Sequence, residues 1–457
     1  MRNNDFDLSN DELSIIKHYE EAHNKGRLDY FDVSDMELVI EHYLQLGDTQ
    51  KAQDALRVAF KLHPDNSYLQ CKRARIYINL GKLDDALELM NRYEEPNNPA
   101  HIFTKAEIYL KIGQKTEAIE LFRLLVDDYT DNDLDDVCLD IVSILHAFQD
   151  YHNSQYFIKK GLTKTPKNLD LLIEYAVGLE QLSEFDKAIE VYNRILDIDA
   201  YKSPAWFCLG LLYFNKEQYA KALEAFDFCT AINNNDTIAW LQKAHCHFNL
   251  DQYESSIKAY RKYLTEYPDD STVLSFLAEC YENCDLYEQA LYYFSEAARI
   301  NPLNAEAWLG AAVCMIEKES FDDAFKYIQK AIHINPDSAE NYAVLGEILD
   351  KLELIQDAKE AYLRSLDIEP KQADTWKELG GLHMQTANFD DAITCYEFAY
   401  NLDNSIDKLT LLLSMAHFAT HNIERMHFYY DLAKQQYSNA REVFLTVFPD
   451  AKELLDD

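Results

Sequence analysis

Residues 203–234 read SPAWFCLGLLYFNKEQYAKALEAFDFCTAINN. Trp206 opens this stretch, Gly210 follows one helical turn later, and Ala222 and Phe226 repeat the small-then-large order further on. The arrangement recurs along the chain. All four tryptophans, Trp206, Trp240, Trp308 and Trp376, are separated by 34, 68 and 68 residues. Six of the ten prolines keep the same interval, since Pro64, Pro166, Pro268, Pro302, Pro336 and Pro370 stand 102, 102, 34, 34 and 34 apart. A fixed period of this length is the signature of an array in which each unit is one supersecondary motif stacked on the next.

With tryptophan at position 4 of the repeat, position 20 is small, as Ala52, Ala86, Ala188, Ala222, Ser256, Ala290, Ala324, Ala358 and Ala392, with Ala118 and Ser154 slightly displaced. Position 8 is small too, as Ala176, Gly210, Ala244, Ala278, Ala312, Gly346 and Gly380, whereas position 24 is large, as Tyr192, Phe226, Tyr260, Phe294, Tyr362 and Tyr396. Positions 4, 7, 8 and 11 share one face of a first helix, and positions 20, 24 and 27 one face of a second. Two helices therefore cross closely, with the aromatics filling the space beside the small residues. Proline at position 32 stops the second helix.

This pattern resembles the tetratricopeptide repeat. Twelve units start at 33, 67, 99, 135, 169, 203, 237, 271, 305, 339, 373 and 407, so the resemblance covers 33–438, with irregular spacing around the third and fourth. It implies an all-α, right-handed superhelix, an α-solenoid, with residues 1–32 as an N-terminal capping helix and linker and 439–457 as a capping helix and acidic tail. Ser9 to Glu12 form a capping box ahead of Leu13, Ile16 and Tyr19, and Val443, Phe444, Val447 and Phe448 form an apolar stripe at the other end. The segment from Tyr30 to Asp48 is similar to uncharacterised bacterial tandem-repeat proteins of this family, which implies a generic scaffold.

Composition narrows the function. The formal charge is −37, from 80 acidic and 43 basic residues. Such a field disfavours nucleic acid and anionic membranes and speeds encounter with basic partners, although it also serves solubility. No apolar run reaches membrane-spanning length and no leader is evident, so a cytoplasmic location is expected. Nine cysteines without paired spacing suit a reducing compartment, and Cys246, Cys280 and Cys314 share repeat position 10, a small core site.

The chain carries no recognisable catalytic, cofactor or metal motif. His417, His421 and Glu424 have a superficially zinc-like spacing, but position 11 is a core site and satisfied histidines are the simpler reading. Cys280 and Cys284 lack further ligands at a metal spacing. Asp131, Asp133 and Asp135 alternate as in a calcium loop, yet Asp136 stands where that loop has glycine and Val142 where it has glutamate.

What remains is a surface. In the family, positions 2, 5, 6, 9, 12 and 13 of the first helices commonly face a concave groove. The resemblance therefore assigns to the groove Ile173, Val177, Phe207, Leu211, Phe214, Leu241, His245 and Phe248, with Asn215, Asn249 and Asn283 beside them and Glu279, Glu282 and Glu347 further along. Phe276, Leu309, Val313 and Ile316 extend the apolar run, and Glu306, Glu317, Glu340 and Asp350 the acidic one. An apolar middle with an acidic flank suits a protein or peptide with apolar anchors and a basic flank. The same apolar residues could instead pack between successive first helices, and the asparagines could either grip a peptide backbone or cap helices. The chaperone-docking clamp is missing, because position 5 is basic only at Lys377 and Gly381 stands at position 9 of that unit. The asparagines of the glycosyltransferase type are missing as well, since position 6 holds Cys208, Gln242, Phe276 and Gly310. The expected function is a non-catalytic interaction scaffold. The alternatives are a self-assembling structural protein and an accessory subunit that positions a catalytic partner.

Overall fold

The computed structural model describes residues 9–455, apart from 65, 96–97 and 130–132. Every regular element among them is helical. The chain divides into two compact units, Met1–Leu212 and Tyr213–Asp457.

The first unit opens with α1 (Asn10–Asn24). Five hairpins follow: α2 (Val33–Gln45) with α3 (Thr49–Leu62), α4 (Ser67–Asn79) with α5 (Leu83–Arg92), α6 (Pro99–Lys111) with α7 (Lys115–Asp128), α8 (Leu134–Ala147) with α9 (Tyr151–Lys164), and α10 (Leu169–Gln181) with α11 (Phe185–Ile198). Helix α12 (Ser203–Asn215) crosses into the second unit, where α13 (Tyr219–Ile232) comes next. Six more hairpins follow: α14 (Thr237–Asn249) with α15 (Tyr253–Leu264), α16 (Ser271–Glu282) with α17 (Tyr287–Ile300), α18 (Ala305–Glu317) with α19 (Phe321–Ile334), α20 (Ala339–Lys351) with α21 (Ile355–Ile368), α22 (Ala373–Gln385) with α23 (Phe389–Leu402), and α24 (Leu409–Ala419) with α25 (Ile423–Gln436). Helix α26 (Ala440–Val447) and a 3-10 segment (Pro449–Leu454) end it.

The small-on-large register explains the close crossing. The position 20 residues are fully buried, and Tyr192, Phe226, Tyr260, Phe294, Tyr362 and Tyr396 at position 24 are all at most 4% exposed. A Cβ added at Gly346 would stand 2.7 Å from the Tyr362 ring, and one at Gly380 2.6 Å from the Tyr396 ring. Each such aromatic, once buried, contributes on the order of 2 kcal/mol of hydrophobic stabilisation. Many first helices start behind side-chain caps, with Asp32, Asn66, Asn168, Asp236, Asp270, Asn304 and Ser338 accepting from backbone N–H groups of the first turn, whereas α8, α22 and α24 have none. Second helices start from a left-handed turn closed by a backbone bond five residues long, such as Asp48 N–H to Tyr43 O (2.9 Å) and Leu354 N–H to Leu349 O (2.9 Å).

The tryptophans do more than fill space. Each indole is only partly buried and donates its Nε1–H to the position 32 carbonyl of the preceding repeat: Trp206 to Ala200, Trp240 to Asn234, Trp308 to Pro302 and Trp376 to Pro370, at 2.8 to 3.0 Å. The two sequence clocks meet in this bond, since proline or its substitute presents the carbonyl that tryptophan seizes.

The ends depart from expectation at two residues. The capping box of Ser9 and Glu12 forms, but the inward face of α1 is Ile16, Tyr19 and Ala22, while Leu13 is exposed. At the other end Phe444 is fully buried and Val443 and Phe448 pack beside it, whereas Val447 is exposed because α26 gives way to the 3-10 segment there. The segment 1–8 and residues 456–457, part of the expected caps, lie outside the described residues.

Candidate protein-binding groove

In each unit, first helices of successive hairpins touch, as α2 does α4, α16 does α18 and α18 does α20. Side chains on that side of the hairpins therefore face both solvent and the neighbouring first helix. In the first unit, Ile173 is half-buried and Val177 is exposed on α10, and Phe207 and Leu211 are half-buried on α12.

In the second unit Phe214 packs apart from the other apolar candidates, which form an aromatic cluster. Phe214 sets its ring edge-on to Tyr219 at 5.2 Å. On α14, Phe248 contacts Tyr253 at 5.8 Å and Phe276 at 6.1 Å, and His245 meets Phe276 edge-on at 5.2 Å. Leu241, Phe248 and Phe276 all pack against the buried core of this region. The His245 Nδ1 and the Tyr260 hydroxyl share a hydrogen bond of 2.7 Å, and burial holds the imidazole below its usual pKa. These residues are thus partly inter-helix packing and partly surface.

The three candidate asparagines are placed differently from one another. Asn249 donates its side-chain amide to the His245 carbonyl at 2.8 Å, and Asn283 to the Glu279 carbonyl at 2.9 Å. Each bond turns the side chain back to the carbonyl four residues earlier in its own helix, so one amide donor of each asparagine is used internally. Asn215 stands exposed at the end of α12.

The acidic candidates gather on α16, α18 and α20. Desolvation, with Glu306 and Glu340 nearby, raises the Glu279 carboxyl above the ordinary range. Glu282 is pushed up to about 7, first by desolvation and then by Glu279, Glu340 and Glu317. Glu347 is raised by desolvation and by Glu378, Glu317 and Asp350, with Lys351 opposing. Glu347, Asp350 and Glu378 share a cleft of about 480 Å³ with Tyr362 and Lys351. Burial, and then the field of Glu378, Glu347 and Asp350, raise the Tyr362 phenol as well. Glu378 belongs to this wall although the sequence argument did not reach it. It occupies groove position 6 one repeat beyond the last acid considered, so the register alone could have found it.

The remaining chemistry is quiet. Cys246, Cys280 and Cys314 are fully buried, and desolvation pushes each thiol up to about 12. Among the described residues, no group of three His, Cys, Asp or Glu could hold a metal ion, and no helix is long and apolar enough to cross a membrane. Asp135 accepts hydrogen bonds from Thr165 and Asn168 at 2.9 Å, and Asp131 lies outside the described residues. His417 is buried as a core residue should be, yet it is not satisfied. Neither ring nitrogen has a hydrogen-bond partner among the described residues, and its ring stacks on Tyr429 at 5.6 Å. Burial, and secondarily Arg425, lower its pKa.

Family models described as tetratricopeptide repeat match residues 43–95, 285–348, 339–372 and 102–132. A model described as anaphase-promoting complex, cyclosome, subunit 3 matches 181–263. Comparison with curated proteins gives no match. Among solved structures, YrrB, described as a TPR protein with an unusual peptide-binding site, is 21% identical over 40% of this chain and 95% of its own, with a TM-score of 0.38. A chain of the APC/C hetero-tetramer Cut9-Hcn1 is 15% identical over 88% of this chain and 92% of its own, with a TM-score of 0.44. MamA is 19% identical over 35% and 94%, with a TM-score of 0.34.

Proposed function

Because this chain is a tandem tetratricopeptide-repeat protein, we propose that it is a non-catalytic scaffold whose groove, lined by first helices, takes one extended or helical segment of a partner protein. The repeats of 33–438 form that scaffold between the segments 1–32 and 439–457, and the cytoplasm is its setting. The partner segment brings apolar side chains to the region of Leu241, His245 and Phe248 and basic side chains to the wall of Glu279, Glu282 and Glu347.

The observation that carries this reading is the gathering of carboxylates on the successive first helices α16, α18 and α20, where burial first and the neighbouring carboxylates second raise the carboxyl pKa values. Such a wall is electrostatically unfavourable when empty. A raised carboxyl pKa means that the folded protein loses stability as pH rises from the ordinary range through about 7, here for Glu282. A basic segment removes that penalty, lowers the pKa and releases a proton, so binding strengthens over the same pH window.

Charge reversal tests this better than truncation of the aromatics, because Phe248 also supports Phe276. With a basic, apolar-anchored peptide as probe, Glu279→Lys with Glu347→Lys should slow association by about tenfold at low salt, and the effect should fade above about 0.5 M salt. Wild-type affinity should fall as pH drops from about 7.5 to 6, and Glu282→Gln should flatten that profile. Unchanged association in the double variant would remove the acidic wall from the site.

A further inference from the structure

The second unit has another concavity, built mainly on the second helix α19 and on the turn before α18. It encloses about 890 Å³, within the range of ligand sites. Its floor is aromatic: Trp308 and Tyr327 stack with centroids 5.7 Å apart and planes 26° apart, and Leu303 stands 75% exposed at the edge. Its rim is basic. Lys326, Lys330 and His333 face it, against Asp323, which is already paired with Lys326 at 2.8 Å. The Lys330 ammonium lies 3.8 Å from the centre of the Trp308 ring. In a chain of net charge −37, this is a local reversal of sign.

A later repeat indicates what such a shelf holds. One repeat on from Lys330, Arg364 again lies over a ring, that of Tyr342, at 5.9 Å; two repeats on, at Trp376, the equivalent residue is Phe398, and its ring lies flat on the indole at 4.9 Å and 21°. There the chain supplies its own aromatic cover. At Trp308 the same repeat position carries an ammonium instead, and the shelf stays open beside it.

We propose that the Trp308 shelf binds a short acidic segment of a partner protein that carries an aromatic or aliphatic anchor. The anchor lies on Leu303 and the stacked rings, while flanking carboxylates take up Lys330 and Lys326, a charge-assisted pairing stronger than the cation–π contact it replaces. This site selects the opposite charge from the groove, so the scaffold sorts two partners by sign. A long polyanion is disfavoured, since beyond the shelf it meets the negative field of the chain.

The test is fluorescence anisotropy with a labelled peptide Glu-Asp-Phe-Glu-Asp-Leu and a control in which lysine replaces every acid. Wild type should bind the acidic peptide and not the control. Lys326→Glu with Lys330→Glu should weaken binding by about tenfold or more, and Leu303→Ser by about threefold, without a shift in melting. Glu279→Lys with Glu347→Lys should leave this affinity unchanged, which separates the shelf from the groove. No binding by wild type, equal binding by the lysine double variant, or preference for the basic control each overturns the proposal. So does sedimentation in which wild type self-associates and the lysine double variant is monomeric, because the occupant would then be a second copy of the chain.

Discussion

The first three hairpins and the following nine make the same inter-helix turn from different residues. Gly47, Gly81 and Gly113 take φ values of 72, 73 and 86° in the early turns. The later ones place Gln149, Ser183, Glu217, Asp251, Asp285, Glu319, Glu353, Ala387 and His421 in the same left-handed region, at φ between 53 and 61°. The closing bond is the same throughout, from Lys82 N–H to Tyr77 O at 2.9 Å as from Asn388 N–H to His383 O at 2.9 Å. A side chain in that region costs about 1–2 kcal/mol, so in the later hairpins the helix crossing enforces a turn the local sequence would not choose. Glycine has moved elsewhere: beyond residue 113, all seven glycines lie inside helices, where several let an aromatic ring approach. The early hairpins use glycine for backbone freedom, and the later ones for closeness.

One chemical change should therefore act through two mechanisms. The largest effect is expected at Gly310→Ala, where the new Cβ would stand 2.2 Å from the Phe294 ring. Even with the gain in helix propensity, thermal or denaturant unfolding should show about 2–3 kcal/mol of destabilisation. A variant as stable as wild type would mean that the crossing of α17 and α18 has slack. Gly81→Ala meets no atom within 4 Å, so only backbone strain remains. It should cost about 1 kcal/mol, with Gly81→Asn recovering part of it, and equal losses for both would contradict the strain account. The smallest effect runs the other way. Ala387→Gly should stabilise by about 0.5 kcal/mol, the relief of strain minus the added freedom of the unfolded chain. Destabilisation would show that its φ of 58° is comfortable for alanine.

Periodicity made the hairpins legible, because burial at positions 20 and 24 follows directly from helical geometry. It could not reveal the exposed left-handed turns: residues such as Glu319 and Glu353 carry no local signal for positive φ, and only their 34-residue spacing from Gln149's successors marks them. Half-burial of the tryptophans was hidden for a related reason, since a helical face tells which neighbour a side chain approaches but not whether its polar end escapes to a carbonyl. At the groove, residue type located the acidic wall. The division of Phe248 and His245 between packing and surface depended on Phe276 and Tyr260, which contact them from α16 and α15. The Trp308 shelf was invisible because it joins a turn and a second helix whose meeting is set by tertiary structure.

The indole-to-carbonyl bond at position 4 gives the molecule a built-in optical map. Tryptophan first occurs at residue 206, so emission reports the joints entering four later repeats and is blind to everything before them. Far-ultraviolet dichroism weighs all helices alike. In a quasi-one-dimensional array whose parts can open separately, the interval between the two signals on heating is a direct measure of which end melts first.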